Sequence, residues 1–302
     1  MGPGIEPQIR AFFDEPTNTV SYLVWDEGSR RGVVIDPVLD FDVAAGTVDD
    51  GSVNGLLRAA EEKALTIEWV LETHVHADHL SGAPLIKQRT GAKVAIGEHV
   101  RDVQTIFQPI FGAVDVKGDG GDYDRLLKDG DRIEVGDLSI EVINTPGHTP
   151  ACVSYRIGDA VFVGDTMFMP DYGTARTDFP GGCARQLYRS IHKILSLPPE
   201  TRLFMCHDYK APGREQFAWE TTVGEQRAAN KHIHDGVGED EFVAMREERD
   251  KCLSTPRLLI PSIQVNMRAG RFPPAEASGV RYLRIPVKLR EGLAAEDVGC
   301  GF

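Results

Sequence analysis

Three histidines and an aspartate lie within six consecutive positions of this 302-residue chain, directly after an apolar segment typical of a β-strand. They are His74, His76, Asp78 and His79. Neutral imidazole nitrogens and carboxylate oxygens are common ligands of transition metals in proteins. Because alternate side chains of an extended segment point to the same side, His74 and His76 can reach one site, while the following turn brings Asp78 and His79 to an adjacent one. The motif therefore predicts a metal centre at a strand end.

Three further residues of metal-ligating type follow at a distance, each near a glycine or at the end of an apolar strand. They are His148 in Thr-Pro-Gly-His-Thr, Asp165 in Val-Gly-Asp-Thr and His207 in Met-Cys-His-Asp-Tyr. Five of the nine histidines of the chain therefore belong to one set of candidate ligands. Folds with layered helices and sheets place functional residues at strand ends, which favours one shared site for the whole set.

Composition and charge exclude several other classes of function. A net charge of −13 argues against binding to nucleic acid or to an anionic membrane, because both need clustered Lys and Arg. No run approaches the ~18 apolar residues of a membrane span, and the N-terminus lacks the basic and apolar regions of a secretory signal. The five cysteines are widely spaced and form no Cys-X-X-Cys pair, which favours a reducing compartment. We expect a cytoplasmic protein.

The pattern of elements predicts a single catalytic domain over residues 1–290, with a C-terminal extension from about residue 215 and a tail at 291–302. Short strands and amphipathic helices alternate through the first two thirds of the chain, and the motif at residue 74 follows a strand. Residues 217–254 look helical and charged. The proline- and arginine-containing stretch 258–287 predicts an irregular segment.

With these residues in place, the chain resembles the metallo-β-lactamase superfamily, whose signature is the same His-X-His-X-Asp-His followed by a distant His, Asp and His. The resemblance extends from about Asn18 to Tyr209. It implies an α/β fold of the αββα sandwich type, in which two mixed β-sheets are flanked by helices. It also implies that the metal site lies at one edge of the two facing sheets.

Within that superfamily the chain is most similar to the glyoxalase II-like branch, and inside the branch to the persulfide dioxygenases (sulfur dioxygenases). Four motifs in this order carry the resemblance: Arg176-Thr177-Asp178-Phe179, Gly182-Cys183-Ala184, His207-Asp208-Tyr209 and Asn266-Met267-Arg268-Ala269-Gly270. Two departures distinguish this chain. The stretch from residue 165 to 176 is slightly longer, and an extended acidic segment precedes the Asn-Met-Arg motif. Either one could reshape the substrate pocket.

The resemblance implies an oxidative chemistry that depends on iron. In persulfide dioxygenases the residues corresponding to His74, His148 and Asp165 bind a single Fe(II) ion, one per chain. Two histidines and one carboxylate are also the facial triad of non-haem Fe(II) oxygenases, and they leave three coordination positions open. The implied reaction oxidises glutathione persulfide with O2 to sulfite and glutathione.

The other candidates have roles that the resemblance implies less directly. Tyr209, Arg176 and His207 are candidate catalytic residues, and Arg176, Tyr209 and Tyr172 are candidate substrate-binding residues. Arg176 could hold a carboxylate of the thiol carrier or lock its own loop through Asp178. The remaining donors either orient ligands and water by hydrogen bonds or hold a second metal ion: His76, Asp78, His79 and His207.

Ligand spacing alone does not choose between metals. The same side chains could hold two Zn²⁺ ions bridged by Asp165, which would make a glyoxalase II-type thioester hydrolase working through activated water. A third possibility is a metal-binding protein without turnover. For the oxygenase, the expected partners are glutathione persulfide and O2, and a homodimer is possible.

Overall fold

The computed structural model describes residues 6–287, so the predicted tail at 291–302 lies outside the described residues. The described part contains fifteen β-strands, seven α-helices and one 3-10 helix. The strands are β1 (Gln8–Asp14), β2 (Thr19–Trp25), β3 (Arg31–Ile35), β4 (Val38–Asp42), β5 (Thr47–Asp49), β6 (Thr66–Leu71), β7 (Leu80–Ser81), β8 (Lys93–Gly97), β9 (Arg125–Leu127), β10 (Arg132–Val135), β11 (Leu138–Asn144), β12 (Val153–Ile157), β13 (Ala160–Phe162), β14 (Arg202–Phe204) and β15 (Glu220–Thr222). The helices are α1 (Gly51–Glu62), α2 (Ala83–Thr90), α3 (Val100–Phe111), α4 (Ala184–Leu195), α5 (Val223–Ala229), α6 (Glu239–Asp250) and α7 (Leu259–Asn266), with a 3-10 turn at Gly164–Thr166.

Two six-stranded mixed sheets form the centre of the molecule. The first sheet has the order β1-β2-β3-β6-β8-β9, with antiparallel pairs at β1, β2 and β3 and parallel pairs from β3 to β9. The second has the order β10-β11-β12-β13-β14-β15 and is antiparallel except for the pair β13 and β14. A small sheet of β5, β4 and β7 lies beside them.

The buried apolar side chains form one layer between the two large sheets and one layer on the outer face of each sheet. One cluster lies between the two sheets and includes Tyr22, Ile35, Tyr155 and Phe162. A second cluster joins the first sheet to α1, α2, α3 and α7, and a third joins the second sheet to α4, α5 and α6. Each sheet is therefore covered by helices on one face and by the other sheet on the opposite face. The predicted αββα sandwich is confirmed.

The C-terminal third differs from the sequence-based expectation in two places. Residues 258–287 are not irregular throughout, because α7 begins at Leu259 and ends at Asn266. Proline at position 261 is tolerated there since it lies in the first turn, where its missing N–H has no helical partner to lose. The stretch 217–254 is not one helical region either: it contains β15, which pairs with β14, and then two separate helices. Among the described residues, no helix has the length and apolar character that crossing a membrane would need.

A glycine sets the distance between α4 and the loop that carries His148. Gly147 has φ +144°, and a Cβ at this position would lie 2.4 Å from the backbone N and Cα of Leu187 in α4. The N–H of Cys183 donates to the Gly147 carbonyl at 2.8 Å. A side chain at residue 147 would therefore push the loop away from the helix.

We predict that Gly147→Ala destabilises the protein by about 2 kcal/mol or more, because it combines backbone strain with overpacking. Thermal unfolding followed by circular dichroism measures the change. Gly55→Ala is the matched control: Gly55 lies inside α1 with nothing within 4 Å of its added Cβ, so alanine should stabilise the helix slightly. Equal melting temperatures for the two variants would contradict the prediction.

Candidate metal centre

Four separate chain segments bring the predicted ligands to one edge of the two sheets. The cluster at residues 74–79 follows β6, and His148 lies in the loop between β11 and β12. Asp165 lies in the 3-10 turn after β13, and His207 comes shortly after β14. An isolated bridge between Thr19 and His207 joins the two sheets at this edge. The sequence-based expectation that strand ends deliver one shared site agrees with this arrangement.

Three of the predicted ligands form one compact group. His74, His148 and Asp165 each offer a donor atom, and these atoms lie within 4.8 Å of one another. The Oδ2 atom of Asp165 is 4.0 Å from His74 Nε2 and 3.6 Å from His148 Nε2. All three residues are buried. The group has the composition of the two-histidine, one-carboxylate triad.

Hydrogen bonds to the Nδ1 atoms orient four of the imidazole rings. His148 Nδ1 lies 2.8 Å from the carbonyl oxygen of Arg176, and a carbonyl can only accept, so His148 donates from Nδ1. His79 and His207 are held in the same way by carbonyl oxygens at 3.0 Å and 3.2 Å. His74 Nδ1 lies 3.0 Å from the hydroxyl of Thr73. In this arrangement the Nε2 atoms remain available as lone-pair donors to a metal.

His76 has a different environment, which the sequence did not reveal. Its Nε2 atom lies 2.9 Å from Asp36 Oδ1 and 3.3 Å from Glu72 Oε2, and all three side chains are buried. Burial alone would lower the pKa of His76, but the two carboxylates outweigh it and raise that pKa well above its usual value. Asp36 follows β3 and Glu72 follows β6, two neighbouring parallel strands. A carboxylate after an apolar strand was the signal that could have identified them.

Several buried donor atoms at this edge have no hydrogen-bond partner among the described residues. Six of them belong to predicted ligands: His74 Nε2, His76 Nδ1, Asp78 Oδ2, His79 Nε2, Asp165 Oδ1 and His207 Nε2. Leaving a buried polar atom unpaired costs about 1–3 kcal/mol, so six together need an explanation. Burial lowers the pKa of His74 well below normal and that of His79 to about 3, which keeps both rings neutral. Neutral imidazoles and carboxylates with free lone pairs fit a metal ion.

The donors beyond the triad also lie close together. His207 Nε2 is 3.2 Å from Asp78 Oδ2 and 3.3 Å from Asp165 Oδ1. His76, Asp78 and His79 form another group of donor atoms within 4.8 Å, and His76, Cys206 and His207 form a third. All seven predicted ligands therefore meet at one edge. Asp165 lies close to the triad partner His148 through Oδ2 and close to His207 through Oδ1.

Asn266 braces the metal-binding segment from the far end of the chain. Its side-chain NH2 donates to the carbonyl oxygens of His76 at 2.9 Å and of His79 at 2.7 Å, and its Oδ1 accepts from the N–H of Ser81 at 2.9 Å. Asn266 itself is buried, and its carbonyl accepts from the hydroxyl of Tyr123 at 2.6 Å. The Asn-Met-Arg motif marked this position in the sequence, but not this contact.

A cavity of about 350 Å³ opens onto the triad at His148 and Asp165, and Asp78 lines it beside them. Phe168 and Phe179 contribute to its walls. The predicted substrate-binding residues line it as well: Tyr172, Arg176 and Tyr209.

The guanidinium of Arg176 is already engaged within the protein. It forms two hydrogen bonds with the carboxylate of Asp178, at 2.6 Å and 2.7 Å, and it donates to the carbonyl of Ser254 at 2.7 Å. Arg176 was expected either to hold a carboxylate of the thiol carrier or to lock its own loop through Asp178. These contacts favour the second role. Its role toward substrate stays a prediction.

We predict that Asn266→Ala weakens metal binding by about tenfold or more, because two buried carbonyls of the ligand segment lose their donor. Metal affinity is measured by competition with a chelator, alongside thermal unfolding. Asn54→Ala is the control, since Asn54 bonds to Asp50 and Arg89 on the surface, away from the site. A lower melting temperature with unchanged metal affinity would show that Asn266 acts on the fold alone.

Comparison with known proteins gives the family. A family model described as the metallo-beta-lactamase superfamily matches residues 14–207. The chain is 52% identical to a probable metallo-hydrolase of Burkholderia pseudomallei, over 92% of this chain and 98% of that protein. It is 46% identical to glyoxylase B2 of Dictyostelium discoideum, over 93% and 97%. It is 30% identical to the mitochondrial persulfide dioxygenase ETHE1 of Bos taurus, over 91% and 93%.

Among solved structures, the fold is similar to that of ETHE1 from Myxococcus xanthus. The TM-score is 0.70 at 32% sequence identity, and the match covers 87% of this chain and all of that one. The family model extends over more than half of the chain and includes all seven predicted ligands. The chain belongs to the metallo-beta-lactamase superfamily.

Proposed function

We propose that this protein is an Fe(II)-dependent persulfide dioxygenase that oxidises glutathione persulfide with O2 to sulfite and glutathione. The observation that carries the proposal is the triad of His74, His148 and Asp165. Its donor atoms lie within 4.8 Å of one another, and His148 and Asp165 line the cavity. Bound by this triad, Fe(II) would supply open coordination positions and an accessible redox change, which zinc lacks. Similarity to the persulfide dioxygenases supports the same activity.

The reaction balances with one water molecule. Glutathione persulfide, O2 and water give glutathione, sulfite and two protons. The outer sulfur is oxidised and dioxygen is reduced, while the bond between the two sulfur atoms breaks. His207 Nε2 lies 3.2 Å from Asp78 Oδ2, beside Asp165, and in this proposal the two residues hold the water and accept a proton.

The aromatic side chains around the triad limit access of bulk water. Phe179 packs edge-on against the ring of His148 at 5.3 Å, and Phe168 packs edge-on against His207 at 6.3 Å. Tyr209 stacks on His207 at 5.6 Å and lines the cavity, with 38% of its surface exposed. Partial desolvation in the cavity and the charges of Asp78 and Asp165 raise the pKa of the Tyr209 hydroxyl well above normal. Tyr209 therefore stays neutral and can donate a hydrogen bond to an anionic substrate sulfur.

A second candidate function is a dinuclear zinc hydrolase of the glyoxalase II type, acting on a thioester. Its support is the complete second set of donors, since Asp78, His79 and His207 keep unpaired buried atoms next to Asp165. The similarity to a probable metallo-hydrolase and to glyoxylase B2 also favours it. In this alternative Asp165, which lies near His148 on one side and His207 on the other, would serve both sets of donors.

Metal content separates the two candidates. We expect protein purified without added metal to contain about one iron and little zinc per chain, as a single triad requires. Elemental analysis by mass spectrometry measures both. An oxygen electrode with glutathione persulfide then tests turnover, with S-lactoylglutathione hydrolysis measured on the same sample. Two zinc ions per chain with thioester hydrolysis, or no oxygen consumption by the iron-loaded protein, would overturn the dioxygenase.

We predict that His148→Ala removes iron and activity together, because the triad loses one of its ligands. His207→Ala should keep most of the iron while turnover falls, since in the proposed enzyme His207 holds water and not the ion. Iron content and oxygen consumption are measured on each variant, with circular dichroism to confirm folding. Complete loss of metal in His207→Ala would assign His207 to the metal and contradict the proposed role.

A further inference from the structure

One peptide group connects the metal ligand His148 to a buried carboxylate on α6. The carbonyl of this group, which belongs to Arg176, accepts the Nδ1–H of His148 at 2.8 Å. Its N–H, which belongs to Thr177, donates to Asp250 Oδ2 at 2.8 Å. Because a trans peptide group is planar, its C=O and N–H point in opposite directions, and the two hydrogen bonds lie on opposite sides of one rigid unit. Any rotation of the peptide that weakens one bond therefore disturbs the other.

Side-chain contacts, and not a strand or helix, fix the orientation of this peptide. Residues 175–183 belong to no helix or strand of the described chain, so no regular ladder of backbone hydrogen bonds holds them. Asp250 takes that part. Its Oδ2 atom accepts from the N–H of Thr177 and also from the hydroxyl of the same residue, at 3.0 Å. The carboxylate therefore holds residue 177 through both its backbone and its side chain.

Asp250 is itself held in place by its own helix. Arg246, one turn earlier, donates from Nε to Asp250 Oδ1 at 2.9 Å, which leaves Oδ2 for Thr177. Arg246 also donates to the carbonyl of Thr174 at 3.0 Å. The buried residues of α6 are Phe242, Arg246 and Asp250, whose spacing of four places them on one helix face. Phe242 packs in the apolar cluster that joins the second sheet to α4. The carboxylate is therefore positioned before an ion binds.

We propose that Asp250 is a positioning residue for the metal centre, acting on His148 through the peptide group that lies between them. A carboxylate that accepts directly from a ligating histidine fixes the ring and makes it a stronger ligand. Here the carboxylate polarises the interposed peptide, so the Arg176 carbonyl becomes a stronger acceptor for the Nδ1–H of His148. His148, Thr177 and Asp250 are all buried, so water competes little for these bonds. The inference goes beyond the proposed function, because His148 is a ligand in both the iron and the zinc candidate.

Two parts of the chain supply the members of this relay. His148 and the peptide group lie in the family-matched region at 14–207, whereas Arg246 and Asp250 follow it. Helix α6 belongs to the acidic segment that distinguishes this sequence, and its first turn pairs with Arg185 and Arg189 on α4. The helix is therefore attached to α4 at its first turn and to the ligand loop at its last. In this proposal the C-terminal extension acts on the metal centre without touching the ion.

The affinities for Zn²⁺ and Co²⁺, measured by competition with a chelator, test the relay without oxygen or turnover. We expect Asp250→Asn to weaken the binding of both ions by about tenfold, because asparagine keeps the shape of the side chain but loses its charge. Asp250→Ala should weaken binding further, since it also loses the acceptor. Asp240→Asn is the matched control on the same helix. Asp240 pairs with Arg185 at the surface, at 2.8 Å, so its loss should leave metal affinity unchanged.

Proton NMR of the Co²⁺-loaded protein separates the relay from a general loss of stability. The exchangeable Nδ1 protons of metal-bound histidines give hyperfine-shifted signals in such a protein. In Asp250→Asn we expect one of these signals, that of His148, to shift and to exchange faster with water while the others stay in place. Melting temperatures are measured on the same samples by circular dichroism.

A double variant keeps the test decisive if Asp250→Ala does not fold. That single change leaves the buried guanidinium of Arg246 without its partner, which is strongly destabilising. Arg246→Met combined with Asp250→Leu removes both charges, and it should keep the fold while metal affinity falls as in Asp250→Ala.

Three results would overturn the relay. They are unchanged metal affinity in both Asp250→Asn and the double variant, an equal loss of affinity in Asp240→Asn, and a lower melting temperature with every Nδ1 signal in place. None of these results depends on which reaction the loaded protein catalyses. The relay can therefore stand while the dioxygenase fails, and the reverse is equally distinguishable.

Discussion

Buried ligand atoms without a protein partner are the constraint on which the rest of this structure depends. At the edge of the two sheets, His74, His79 and His207 each use Nδ1 for a hydrogen bond inside the protein and leave Nε2 unpaired. Each such atom costs about 1–3 kcal/mol in a metal-free protein. The rings cannot rotate to relieve this cost without breaking the Nδ1 bonds. The fold therefore holds a site whose donors are oriented before any ion binds, and a bound ion would offset the cost at those donors that it contacts.

The sandwich alone does not hold this site together. The strand ends deliver the ligands, and the side chain of Asn266, from 185 to 190 residues further along the chain, bonds three backbone groups of the segment from His76 to Ser81. Asn266 is in turn fixed because α7 packs on the first sheet through Ile263 and Met267. The residues after the family-matched region therefore determine the geometry of residues within it. A chain shortened before α7 would keep every ligand and lose the brace.

The sequence predicted what is local and left out what depends on neighbours in space. The ligands were predictable because each follows an apolar strand, and the layer order followed from the resemblance. Helix α7 was missed because residues 261–266 are all buried, polar and apolar alike, so the sequence shows no apolar stripe of 3.6-residue period. Asp36 and Glu72 were missed for another reason. Their partner His76 meets Asp36 only because β3 and β6 are paired in the first sheet.

His76 shows how neighbouring carboxylates prepare a histidine to bind an ion. Two buried carboxylates, Asp36 and Glu72, lie against its Nε2 atom. Nδ1 is therefore the ring nitrogen left for an ion, and it has no hydrogen-bond partner among the described residues. A carboxylate bonded to a histidine in this way fixes the orientation of the ring and makes it a stronger ligand. His74 is held from the opposite nitrogen, through Nδ1, and leaves Nε2 unpaired. The two rings of the motif are therefore held from opposite nitrogens, so that each keeps one unpaired nitrogen at the edge where the other donors meet.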